Sequence, residues 1–234
     1  MTGLPAAQAL LARLRGGLGR RLSAFEYIDG RIYAAAAAHG IPAPLPTGAP
    51  AYALVGVEAA GEADRALMTG ALAEALAAGE AADVLIDRGA RDQAAFWHLR
   101  DGLSETVFAM SGCHGFDIDI APDRLGGFLD GAEAAIRAID SGAGFWNFGH
   151  LGDGNLHFIV STARPDPVSE TVYRAVGAAG GALSAEHGIG LEKPHWLPVV
   201  RSPAEIAAMR RLKAAFDPHG ILNPDRVVPA GDAA

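Results

Sequence analysis

His150 and His157 flank the pair Asp153-Gly154 in the stretch GHLGDGNLHF. Imidazole is a common biological metal ligand, and one nitrogen of each ring can reach an ion at about 2.0–2.1 Å. The stretch reads as two short apolar strands, 145–151 and 156–160. Asp-Gly between apolar runs favours a two-residue hairpin turn in which both central residues have φ > 0. Such a turn sets Gly152 opposite Asn155, Leu151 opposite Leu156 and His150 opposite His157, on one face with Cβ atoms roughly 4.5–5.5 Å apart. Half a metal site follows from the spacing; two solvated histidines beside a turn by chance is the alternative. A second cluster, Ala185-Glu186-His187-Gly188-Ile189-Gly190, adds a carboxylate and a third imidazole in a segment loosened by glycine. In extended backbone Glu186 and His187 point to opposite sides. One can complete the metal site while the other faces a substrate.

Taken in order, GHLGDGNLHF, SAEHGIGLEKPHWL and FDPHGILNPDRV resemble the C-terminal half of the FAD-linked oxidases of the vanillyl-alcohol-oxidase type. Within that family the resemblance is to D-lactate and D-2-hydroxyglutarate dehydrogenases and the glycolate oxidase flavin subunit. Weaker similarity runs from about Leu22 to the C-terminus. The resemblance implies a divalent metal, Zn or Mn, on His150, His157 and Glu186, with His187 as the catalytic base. It implies substrate contacts from Arg100, from Ser104 one turn further along the same helix face, and from Lys193. It points to Asn155, Gly188 and Asn223 as flavin-side positions. A solvated surface arginine is the alternative for Arg100; Asp153 and Asn155 are turn formers first; His219 reads as part of a helix terminator. One departure stands out: the family often carries a basic residue two positions ahead of the aspartate that opens DIDIAP, and here that position is Gly115, preceded by His114. The missing cation weighs against a dicarboxylate substrate.

The implied activity is oxidation of a D-2-hydroxy acid, of the D-lactate, glycolate or 2-hydroxyglutarate type, by hydride transfer to FAD. Such chemistry needs a group that lowers the hydroxyl pKa, a base near neutrality and a cofactor that accepts the hydride. No glycine-rich segment of the kind that cradles a dinucleotide pyrophosphate at a helix N-terminus is present. An FAD-binding domain ahead of this region is therefore expected to be absent from the chain and supplied as a separate domain or polypeptide, without which the chain is expected to be inactive. Two other classes stay open. Two histidines and a glutamate also make a catalytic zinc site, so a stand-alone metal-dependent hydrolase is one; a non-catalytic remnant or binding module of the same fold is the other.

The elements that must hold these residues follow from hydropathy and punctuation. With 234 residues, half of them apolar, the chain can bury a substantial core. A net charge of −8 without a Lys/Arg block argues against a nucleic-acid partner. Cys113 is the single cysteine, and Met1–Arg20 lacks the apolar run of an export signal, so a cytoplasmic location is expected. No run of about 20 apolar residues offers a transmembrane segment. Helical spacing covers 6–14 and 23–39, the latter with Ser23 as N-cap and Gly40 as stop. Residues 41–50 are proline-rich and irregular. Strands are expected at 51–58, 82–87 and 116–120, and helices at 62–78, 91–110, 123–140, 168–183 and 203–216. This order predicts one α+β domain over 1–234: an antiparallel sheet of ferredoxin-like units with helices on one face and helical terminal segments. A helical lead-in takes 1–50, the sheet core 51–183, and the EHGIG loop, a helix and a flavin-side tail 184–234.

Overall fold

The computed structural model describes residues 1–228, so the last six residues of the expected tail lie outside the described residues. Its helices are α1 (Leu4–Leu18), α2 (Gly30–Ala38), α3 (Glu62–Ala77), α4 (Ala90–Ala109), α5 (Pro122–Ile139), α6 (Pro165–Ala178), α7 (Leu197–Val200) and α8 (Pro203–Phe216). Its strands are β1 (Leu22–Asp29), β2 (Ala51–Val57), β3 (Cys113–Asp119), β4 (Gly144–His150) and β5 (Asn155–Ser161). They form one five-stranded antiparallel sheet in the order β2-β1-β4-β5-β3.

Side-chain alternation divides the sheet into two faces. Phe25, Tyr27, Phe116, Ile118, Phe145, Leu156, Phe158 and Val160 pack with buried residues of α1, α5 and α6 in the main core. A fully buried side chain of this size contributes about 1.5–3 kcal/mol relative to exposure, so this layer fixes the sheet. Ile28, Phe148 and Ile159 face the other way, against Ile32 and Tyr33 of α2 and Leu99 and Leu103 of α4. The expected helical layer is present, and α2 and α4 add a smaller one on the opposite face.

Three local expectations change. The span 23–39, read as one helix within a helical lead-in, is strand β1 followed by the short helix α2. Its LSAFEYID segment alternates, and β1 is flanked by β2 and β4, so pairing on both edges outweighs a weak helical period. Asp29 takes the capping role expected of Ser23, accepting the amides of Arg31 and Ile32. Residues 82–87 form no strand; with β2 they line an apolar cavity of about 400 Å³ instead of pairing with it.

The hairpin also closes differently. Phe148, not His150, pairs with His157. Of the two turn residues only Gly154 adopts positive φ (81°), and the amide of Asp153 bonds back to the His150 carbonyl at 3.0 Å, giving a loop over 151–154. The slip is two residues, so both histidines keep the same face; a slip of one would have separated them. Glycine is required at 149, where a Cβ would lie 2.6 Å from the Asn155 carbonyl oxygen. Arg15 of α1 donates to the Gly152 carbonyl and ties the loop to the main core.

Candidate functional site

Four polar side chains form a row across four adjacent strands on the α4 side of the sheet. Register sets Glu26 of β1 beside His150 of β4, and Asp117 of β3 beside His157 of β5. The two hairpin histidines meet diagonally, with ring centroids 6.2 Å apart. Arg100 reaches the row from α4, and the loop after α6 brings Glu186 and His187 over it.

Ligand atoms of His150, His157 and Glu186 lie within 4.8 Å of one another. Glu186 Oε1 is 3.0 Å from His150 Nε2 and accepts a hydrogen bond from Asn155 Nδ2 at 2.7 Å. His150 Nδ1 faces Glu26 Oε1 at 2.5 Å, and the other Glu26 oxygen accepts from Arg100 Nε at 3.1 Å. Arg100 Nη2 lies 2.9 Å from His150 Nε2. An arginine can only donate, so this contact makes Nε2 the acceptor and puts the ring proton on Nδ1, against Glu26. Burial pushes the His157 imidazole below its ordinary pKa, outweighing the pull of Asp117 and Glu186, and so keeps it in the neutral form that binds metals.

Asp117 is only 6% exposed and holds the overlying loop. Its Oδ2 accepts from the backbone amides of Glu186 (2.9 Å) and His187 (3.1 Å) and from Ser184 Oγ (3.2 Å). Burial alone would raise its pKa, but those amides and the neighbouring His187 and His157 hold it below the usual carboxylate range. Asp117 Oδ1 and Asn155 Oδ1 are buried without hydrogen-bond partners among the described residues. Two unsatisfied acceptors beside two histidines and a glutamate form an oxygen- and nitrogen-rich environment suited to a cation. The donor set fits a divalent metal: two imidazoles and a carboxylate, one histidine already backed by a second carboxylate.

The His187 side chain is 70% exposed and its ring stacks beside that of His157, centroids 6.4 Å apart. Arg100 is largely buried at the row, while Ser104, one turn further on α4, is half-buried and outside its hydrogen bonds. Lys193 donates to the Leu183 carbonyl at the base of the loop, and burial lowers its pKa. Gly188 (φ 72°) and Asn223 (φ 45°) are exposed, with backbone in the left-handed region. The segment carrying Asn223 returns to the loop through the Val227 amide and Gly190 carbonyl, 2.9 Å apart. Trp196 packs on Tyr173, in keeping with a role in the core. Glu26 was not among the site residues read from sequence. Its signal was there: a carboxylate in an aromatic, alternating segment shares its face with Ile28, but only once that segment is read as a strand.

The described fold and the three-residue donor set define the class. Residues 3–227 match the family model of the FAD linked oxidases, C-terminal domain, and the chain belongs to that family. D-2-hydroxyglutarate dehydrogenase from Stutzerimonas stutzeri (strain A1501) is 33% identical over 224 residues, covering 89% of this chain and 47% of the relative. The enzyme of the same name from Xanthomonas citri pv. viticola is 32% identical over 225 residues, covering 91% and 47%. The mitochondrial one from Arabidopsis thaliana is 29% identical over 230 residues, covering 95% and 41%. The chain thus spans about half or less of the length of the curated relatives it matches. Among solved structures, 4-ethylphenol oxidase from Gulosibacter chungangensis superposes with a TM-score of 0.57 at 14% identity, over 97% of this chain and 51% of that one. An alkyldihydroxyacetonephosphate synthase superposes with a TM-score of 0.56 at 13% identity, over 96% and 42%. These two share the fold.

Proposed function

We propose that this chain is the substrate- and metal-binding part of an FAD-dependent oxidoreductase that oxidises a D-2-hydroxy acid in the cytoplasm. The observation that carries the reading is the convergence of His150, His157 and Glu186 on one face of the sheet, with Arg100 alongside and His187 above. Membership of the FAD-linked family and the D-2-hydroxyglutarate dehydrogenases among its relatives support it.

His150, His157 and Glu186 would hold the divalent ion, Zn or Mn, which when bound supplies Lewis acidity to a substrate hydroxyl and carboxylate. FAD, from a domain or polypeptide carrying the phosphate cradle, supplies the hydride acceptor. The chain's own side chains do the rest. The Arg100 guanidinium, oriented by Glu26, offers the fork that suits a carboxylate. His187, free of the Glu186 face, accepts the hydroxyl proton on its imidazole. Asn155 fixes the Glu186 carboxylate, and Asp117 keeps Glu186 and His187 at their stations. Ser104 and Lys193 are proposed at the substrate's margin, and Gly188 and Asn223 on the flavin side. The exposed apolar residues Leu191, Leu212, Phe216, Ile221 and Leu222 along the C-terminal segment suit a surface that the flavin-binding part covers. Gly115, on the same side of β3 as Asp117, brings no cation to the site, which favours a monocarboxylate such as D-lactate over D-2-hydroxyglutarate.

The test is reconstitution. Metal content of the purified chain is measured, and dye reduction is followed with D-lactate, glycolate and D-2-hydroxyglutarate, with and without an FAD-binding polypeptide. The expected result is a colourless chain that holds metal and turns over only with the flavin partner. A chain that retains no metal and a reconstituted complex that reduces no dye would sink the proposal.

A further inference from the structure

Glu26 has a place in this site beyond packing. It is 3% exposed, on β1 between β2 and β4, and its two oxygens are divided between two functional groups: Oε1 lies 2.5 Å from His150 Nδ1, and Oε2 accepts from Arg100 Nε at 3.1 Å. A buried carboxylate is costly unless each oxygen finds a donor, and here both do. We infer that Glu26 is a positioning residue that locks His150 in the Nδ1–H tautomer, presenting the Nε2 lone pair to the ligand cluster, while it docks Arg100 beside that ligand. The inference rests on the proposed metal and substrate roles for the significance of the lock, but the lock itself is a property of the hydrogen bonds.

The substitution Glu26→Gln discriminates. A glutamine has one oxygen and one NH₂ where the carboxylate had two acceptors. Arg100 Nε–H can only donate, so the amide oxygen must serve it, and the NH₂ then faces His150 Nδ1. That nitrogen must become the acceptor, and the ring proton moves to Nε2, where Glu186 Oε1 at 3.0 Å accepts it. Arg100 Nη2 loses its acceptor on Nε2 in the exchange. A protonated Nε2 has no lone pair for a metal.

The experiment uses the full chain and reads two quantities. One is the His150 tautomer, from ¹⁵N chemical shifts of the ring in metal-free protein. The other is Zn²⁺ affinity by competition with a chromophoric chelator. Wild type should show Nδ1 protonated. Glu26→Gln should show Nε2 protonated and about 10–100-fold weaker Zn²⁺ binding, the usual cost of losing a ligand's outer hydrogen-bond partner. A purely structural Glu26 would change thermal stability without switching the tautomer. The inference is overturned if Glu26→Gln keeps the wild-type tautomer and Zn²⁺ affinity. Should that variant not fold, wild-type protein with an unprotonated Nδ1 overturns it equally. Wild type that binds no Zn²⁺ yet shows the tautomer switch would sink the metal reading and leave the lock standing.

Discussion

Replacing Asp117 by alanine tests the claim that one buried carboxylate carries the loop over the site. Its Oδ2 accepts two backbone amides, from Glu186 at 2.9 Å and His187 at 3.1 Å, besides the Ser184 hydroxyl. A hydrogen bond to a charged group contributes about 1.5–3 kcal/mol, so the two amides at the low end give about 3 kcal/mol that alanine removes. At 1.4 kcal/mol per tenfold, the local opening equilibrium of residues 184–188 should rise about 100-fold. Amide hydrogen exchange read at Glu186 and His187 measures that rise directly, while amides of β1 and β4 report whether the sheet is intact. Zn²⁺ affinity should fall in parallel, because Glu186 must then be ordered at binding. The pH dependence has a definite sign. The folded-state pKa of Asp117 lies below its unfolded value, so its contribution is fully present above the ordinary aspartate range and is lost as pH falls through the lowered value. Loop protection in wild type should therefore weaken only in acid, and this acid limb should be missing in Asp117→Ala. Unchanged exchange at Glu186 and His187 in a variant with an intact sheet would refute the reasoning.

Further outcomes follow from the same geometry. His150→Ala should abolish tight Zn²⁺ binding, whereas His219→Ala, at an exposed position beyond α8, should leave it unchanged; equilibrium dialysis decides. His187→Ala should keep the metal and lower turnover of the reconstituted complex by about 10²–10⁴-fold, the usual range for a lost general base; equal loss of metal would make His187 a ligand. Asp217, whose side chain takes Lys213 Nζ and the amides of Ile221 and Leu222, sits below the usual carboxylate range through the Lys213 bond first. Its hold on the segment leading to Asn223 is thus present above the ordinary aspartate range and lost in acid. Limited proteolysis should cut near residues 220–223 faster in Asp217→Ala than in wild type at neutral pH, and the two rates should converge as pH is lowered.

Local patterns in the sequence marked out much of this site in advance. Histidines on either side of a glycine-bearing turn remain on one face of a hairpin for any register differing by an even number of residues, because side chains alternate with period two. The observed pairing of His157 with Phe148 differs from the expected one with His150 by two residues, which leaves both histidines on one face. Glu186 and His187 were legible as neighbours in a glycine-loosened loop, and α3 to α6 and α8 as periodic segments bounded by proline and glycine. What the sequence could not decide was non-local. Whether 22–29 is helix or strand depends on β2 and β4 arriving on both its edges, and that choice put Glu26 behind His150. Residues 82–87 have strand composition but no ladder, because they stand across an apolar cavity from β2. Asp117 took its meaning from a loop nearly seventy residues later, whose amides it gathers. The donor types and their local spacing were therefore fixed by the sequence pattern, and the carboxylates that orient them by tertiary pairing, since a buried acid finds its hydrogen-bond partners only when distant strands close.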